Sequence, residues 1–86
     1  MPIVSTFFGI IIRMFFDDHE PPHFHVEYQG QFATFDFAGK LLAGELSSVR
    51  ARRLVRYWAR LHETELVANW KKVKALKPLQ QIAPLE

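Results

Sequence analysis

His23-Phe24-His25-Val26-Glu27-Tyr28-Gln29-Gly30-Gln31-Phe32-Ala33-Thr34-Phe35-Asp36-Phe37 is the stretch that decides the fold. Its first six residues alternate. Phe24, Val26 and Tyr28 take one face, and His23, His25 and Glu27 take the other, the pattern of a half-buried strand. Gln29-Gly30 reads as a two-residue hairpin turn, weaker than Asn-Gly because Gln tolerates positive φ less well. The returning strand places Ala33, Phe35 and Phe37 on one parity and Thr34 and Asp36 on the other. A Gln29-Gly30 turn pairs Tyr28 with Gln31, Val26 with Ala33 and Phe24 with Phe35. It also pairs His25 with Thr34 and His23 with Asp36. Apolar meets apolar and polar meets polar; a one-residue slip mixes the faces, so this register is favoured.

Working outward, the preceding loop is dense in chemistry. Residues 17–25 hold three of the four histidines, two of the five prolines and three carboxylates. Asp17–Pro22 is expected to be a rigid loop, because its prolines cannot donate to a ladder and bias their neighbours to extended geometry. Before it, Phe7–Phe16 is rich in β-branched and aromatic residues and is apolar on both parities except at Arg13. That predicts one central strand covered on most of both faces. After the hairpin, Phe37–Lys40 reads as a tight turn. Leu41–Leu46 reads as a short last strand, with Gly44 suggesting a bulge.

The period changes after Leu46. Ser47 or Ser48 is a good N-cap. Val49, Leu54, Val55, Trp58 and Leu61 recur at helical spacing, with Arg52, Arg53, Arg56 and Arg60 on the opposite side. Leu66, Val67, Trp70, Val73 and Leu76 form a second, out-of-phase set. A break near His62-Glu63-Thr64 follows, with Thr64 as a candidate N-cap. Pro78 ends the helical region. The expected architecture is α+β: an antiparallel meander of three to four strands over about residues 7–46, then two helices over about 48–62 and 64–77. The helices pack on the Phe24/Val26/Phe35 face of the sheet. Residues 78–86 read as a tail of the single domain 1–86.

Composition bounds the function. A chain of 86 residues, 49% hydrophobic with eight Phe, has a real core and is not disordered. It buries only roughly 60–65% of its unfolded surface, which favours association. The absence of cysteine excludes disulfides and thiolate chemistry, and a cytoplasmic setting is expected. No targeting signal is read, and the longest apolar run is far short of the ~20 residues of a membrane span, so no membrane partner is expected. The net charge of +2 hides a split. Residues 1–46 are acidic and residues 47–77 are strongly basic. The arginine stripe is therefore either a solvated face or a binding face for nucleic acid.

The histidine face admits three readings. His23 and His25, with Asp36 and Arg13 assisting, make an acid–base set for a phosphodiester, as in a small ribonuclease. A His-x-His pair on a strand, its rings about 6–7 Å apart, is also a candidate metal pair. His23, His25 and His19 are then the ligands by histidine content, or a carboxylate such as Asp36 or Glu27 completes the set. The third reading is a wet structural or partner-binding face. Asp18, His19, Glu27, Arg52, Arg53, Arg56 and Arg60 are the candidate binding residues. No cofactor is expected.

Met1-Pro2, Phe8-Gly9-Ile10, Met14–His19, Pro21–His25, Glu27-Tyr28 and Gly44–Leu46 together resemble a bacterial family, domain of unknown function 4160. Leu54-Val55, Trp58-Ala59, Leu61-His62, Glu65-Leu66 and Asn69-Trp70 extend the likeness over nearly the whole chain. Its hallmark residues match at Asp18, His19, Pro21, Pro22, His23 and His25. The resemblance implies a small bacterial cytoplasmic protein, often encoded beside a second small protein, a layout similar to toxin–antitoxin modules. It supplies no catalytic residues. The expectation is thus a protein-binding component of such a two-gene module, with the neighbouring gene's product as partner. RNA or DNA and a second copy of the chain are further candidate partners. A ribonuclease-like toxin is the first alternative, and a metal-binding module the second.

Overall fold

The computed structural model describes residues 2–86. Five strands precede two helices: β1 Ile3–Phe7, β2 Ile10–Arg13, β3 Phe24–Tyr28, β4 Gln31–Phe35, β5 Leu41–Gly44, α1 Val49–Leu61 and α2 Glu63–Lys74. The strands form one antiparallel meander in the order β1-β2-β3-β4-β5. The α+β class, the meander and both helices are as the residue pattern predicts. The strand count is one higher than its upper figure.

The extra strand is β1, which lies almost wholly before the expected strand Phe7–Phe16; that expected strand is itself shortened to β2. Phe8-Gly9 turns the chain between β1 and β2, with φ of 50° and 79°. Gln29-Gly30 turns it between β3 and β4 with φ of 48° and 78°. Both are left-handed two-residue turns, whose twist matches that of the strands they join. Glycine at the second position is what permits each.

The central hairpin has the register read from the sequence between Phe24↔Phe35 and Tyr28↔Gln31, with His25 opposite Thr34. It stops one pair short. His23 lies before β3 and Asp36 after β4, so the expected His23–Asp36 pair does not form. At the far side of the sheet, β4 and β5 shift register between Thr34 and Phe35. Gly44 sits at φ 81° with its α-carbon against β4. A Cβ there would lie 2.3 Å from the Phe32 carbonyl oxygen.

Both helices cover one face of the sheet. Val4, Phe7, Ile10, Ile12, Met14, Phe24, Val26 and Phe35 meet Val55, Trp58, Leu66, Trp70 and Val73 in a single core. Phe24 is its hub: it stacks on Phe35 at 6.0 Å and takes the Trp58 ring edge-on at 5.6 Å. Aromatic pairs of this geometry add about 0.5–1.5 kcal/mol each beyond area burial. Ser48 caps α1, accepting a hydrogen bond from the Ala51 N–H at 3.0 Å. His62 is the hinge residue, ending α1 and preceding α2. Thr64 is inside α2 and caps nothing. Glu63 and Glu65 occupy the first turn of α2 and Lys71, Lys72 and Lys74 its last, each sign favourable to the helix dipole.

Residues 78–86 are not a loose tail. The buried Asn69 side chain donates to the Gln80 carbonyl and accepts from the Gln80 N–H, both at 2.9 Å. The Ile82 N–H then donates to the Val4 carbonyl at 2.7 Å, and Trp58 Nε1–H donates to the Ala83 carbonyl at 2.9 Å. Ile82, within this segment, is buried in the core. The outer edge of β1 is thereby covered, and β5 is left as the exposed edge of the sheet.

Candidate functional site

The face of the sheet away from the helices carries the side chains of opposite parity to the core. Across it, Arg13 pairs with His25 and His25 with Thr34. The next row sets Ile11 beside Glu27 and Glu27 beside Phe32. Arg13 and Glu27 sit on a diagonal of this lattice, and Arg13 Nη1 donates to Glu27 Oε1 at 2.5 Å. The ion pair is part-exposed, so its contribution to stability is small, up to about 1 kcal/mol. Phe32 is 63% exposed beside it. Arg13, Phe15, His25, Glu27, Phe32 and Thr34 border a concavity of about 260 Å³.

The β2–β3 loop forms the rim of this face. It begins at the buried Met14 and closes on itself at once. The Asp18 N–H donates to the Phe15 carbonyl at 3.2 Å, and the Phe15 N–H donates to Asp18 Oδ2 at 3.0 Å. That reciprocal turn aims the other carboxylate oxygen, Oδ1, back at β3. His25 Nε2 lies 3.0 Å from it and His23 Nε2 lies 3.3 Å from it. The loop then runs through a cis Glu20–Pro21 bond. The His23 Nδ1–H donates to the Pro21 carbonyl at 2.7 Å.

α2 holds this loop from the other side. Trp70 Nε1–H donates to Glu20 Oε1 at 3.1 Å, and Lys74 Nζ donates to the Asp18 carbonyl at 3.1 Å. The His23 ring lies 5.4 Å from Trp70 and 5.0 Å from His25, and Phe15 meets His25 edge-on at 4.5 Å. Asp18, His23 and His25 are thus fixed by packing and by hydrogen bonds to groups outside the cluster.

Of the residues singled out from the sequence, the structure brings together His23, His25 and Asp18. Arg13 and Glu27 adjoin them. His19 is exposed and lies outside the cluster, although sequence density grouped it with His23 and His25. Asp36 is elsewhere. Its Oδ1 accepts the N–H groups of Ala38 and Lys40, both at 2.9 Å, so it stitches the β4–β5 turn. Backbone donors two and four residues on won over a histidine across the hairpin, which is the usual preference of aspartate in turns.

The arginine stripe lies on α1, the layer behind the sheet. Arg52 donates to the Leu46 carbonyl and so ties the helix to the end of β5. The Arg56 stem packs on the Gly39 backbone, where a Cβ would come within 2.8 Å of the Arg56 α-carbon. Arg53, Arg56 and Arg60 are exposed, and Arg52 is half-buried. Only part of the stripe is therefore solvated surface.

Three contributors escape a reading from pattern. Trp70 sits on an apolar helical phase, yet its indole N–H needs a partner, and Glu20 is it. Lys74 reads from the sequence only as a further member of the basic stripe, with Lys71, and not as a clamp on the loop. Phe32 carried an unused signal: it shares the parity of Thr34, and an aromatic on the polar parity of a half-buried strand marks a face that is not merely wet.

No curated protein and no solved structure matches the chain significantly. The family model described as a domain of unknown function, DUF4160, matches residues 9–71. That span runs from the β1–β2 turn into α2 and includes the whole Asp18–His25 loop. With most of its length matched, from the first hairpin to the helix that clamps the loop, the chain belongs to the DUF4160 family.

Proposed function

We propose that this chain is the protein-binding component of a small bacterial two-protein module, toxin–antitoxin-like in layout and cytoplasmic. It docks its partner, the product of the neighbouring gene, through the face of the sheet that the helices leave uncovered. The observation that carries this reading is Phe32. An aromatic ring 63% exposed, set among the Arg13–Glu27 pair, His25 and Thr34 and beside a concavity, has the anatomy of a binding centre. Such centres join an apolar anchor to a polar rim. The adjoining β5 edge exposes Leu41 and Leu42 and extends the same surface. Nucleic acid, if bound, is met by Arg53 and Arg60 on the other layer, so the two contacts do not compete. The ribonuclease alternative lacks comparable support, because Asp36 is committed to its turn and Arg13 to Glu27.

Co-expression with the neighbouring gene's product tests the reading. Phe32→Asp is expected to weaken the complex at least ~30-fold, the loss of one hot-spot residue. Val67→Asp, on the exposed side of α2, is expected to leave it intact. A folded Phe32→Asp variant that binds with wild-type affinity would overturn it.

A further inference from the structure

We infer that Asp18, His23 and His25 form a binding site for one divalent transition-metal ion, with zinc as the best-matched occupant. This inference is independent of the docking reading. The three residues each offer one ligand atom, and these atoms all lie within 4.8 Å of one another.

His23 is oriented through its other ring nitrogen. Its Nδ1 lies 2.7 Å from the Pro21 carbonyl, which can only accept. Nδ1 therefore carries the hydrogen. Its Nε2 is left for a second partner, a proton in the imidazolium or a metal ion in the neutral ring. Nε2 lies 3.3 Å from a carboxylate oxygen, Asp18 Oδ1. A cation bound between the two is held by both. His25 Nε2 converges on the same oxygen from 3.0 Å. A single ion at that point satisfies all three groups at once.

The surroundings match those of a built metal site. Histidine ligands characteristically donate their second N–H to a carbonyl or carboxylate, which fixes the tautomer and the ring. The Pro21 carbonyl does this for His23. The Phe15 N–H holds Asp18 Oδ2, leaving Oδ1 for the ion. The Asp18 side chain is only 8% exposed and the His23 side chain 13%. Zinc with ligands at about 2.0–2.1 Å sets tetrahedral ligand atoms about 3.3 Å apart. The two separations to Asp18 Oδ1 already have this size. Two nitrogens and one oxygen suit zinc, cobalt, nickel or ferrous iron and disfavour calcium and magnesium. With three protein ligands, at least one coordination position remains for solvent, and His25, 30% exposed, faces the open side of the sheet.

The test uses tag-free protein stripped with chelator. Zinc is titrated by calorimetry, and cobalt by visible absorption, whose intensity reports tetrahedral coordination. The expected result is one equivalent bound, with a rise in melting temperature that chelator reverses. Asp18→Asn, His23→Gln and His25→Gln should each weaken binding at least ~100-fold, beyond the 10–100-fold typical of outer-shell losses. His19→Gln and His62→Gln should not. Binding that survives the first three variants, or that is lost in His19→Gln, overturns the assignment. So does the absence of binding at millimolar zinc. Where a ligand variant fails to fold, the wild-type ring nitrogens decide by NMR. Zinc must shift Nε2 of both His23 and His25; unmoved resonances overturn the site.

Discussion

Asn69→Ala is expected to release the C-terminal segment and with it the cover over β1. Asn69 is 1% exposed on α2 and makes both hydrogen bonds of a reciprocal pair with the Gln80 backbone. Each bond contributes about 1 kcal/mol net. Alanine leaves the Gln80 N–H and carbonyl without partners, so the segment either stays and bears that cost or peels away. Peeling exposes Ile82 and breaks the Ile82–Val4 and Trp58–Ala83 hydrogen bonds. Losing the two Asn69 bonds costs about 2–3 kcal/mol with the Gln80 groups left unpaired, and peeling, which breaks two more bonds, costs at least as much. In a domain of this size, 1 kcal/mol moves the melting temperature by about 4–8 °C, so a fall of about 8–24 °C is expected. Thermal denaturation measures the total, and amide exchange locates it. Protection should drop at Ile82, whose N–H bonds to β1, while β3 keeps its own. Self-association should rise, because an uncovered strand edge is a template for pairing. A loss under ~0.5 kcal/mol with unchanged exchange at Ile82 would refute the proposed role of Asn69.

Three further substitutions probe the sheet. Gly44→Ala places a Cβ 2.3 Å from the Phe32 carbonyl in a left-handed conformation, so a loss of at least ~2 kcal/mol in urea denaturation is expected. Ready tolerance would mean that the β4–β5 register is misplaced. Gln29→Asn suits the left-handed turn position, where asparagine is several-fold enriched, and should raise stability by about 0.5–1 kcal/mol. A decrease would argue against that turn. Ser5 Oγ is buried without a hydrogen-bond partner among the described residues, so Ser5→Ala should hold or raise the melting temperature. A clear fall would show that the hydroxyl has a partner after all.

The reading from sequence succeeded where period and turn chemistry agreed. Phe24, Val26 and Tyr28 alternate against His25 and Glu27, and Gln29-Gly30 closes the hairpin, so one register alone keeps the faces apart. It failed at Phe7–Phe16 because Phe8-Gly9, a turn, sits inside a run that is apolar on both sides. The apolar content came from two sources: Ile10, Ile12 and Met14 face the core, while Phe8 and Phe16 face outward. A lone glycine carries little weight against eight apolar neighbours, yet it was the informative residue. At the site, the histidine pair was legible but its third member was not. Whether Asp18 or His19 faces His25 is set by the reciprocal Phe15–Asp18 turn, and loop dihedrals of that kind leave no periodic trace. His23–Asp36 failed for a similar reason, since Asp36 had nearer donors in its own turn. The C-terminal segment was readable in principle. A buried-phase asparagine at position 69 demands partners, and Gln80 supplies them.

No helix among the described residues is long and apolar enough to cross a membrane. What the fold offers a partner is a sheet with one face covered by helices, one edge covered by the C-terminal segment, and the remaining face and edge exposed. The amide-exchange footprint of the complex with the neighbouring gene's product tests this most directly. The docking account predicts new protection concentrated on residues 11–13, 25–34 and 41–44, with α1 and α2 unchanged. Protection confined to α1 and α2, with β3 to β5 unaltered, would contradict it.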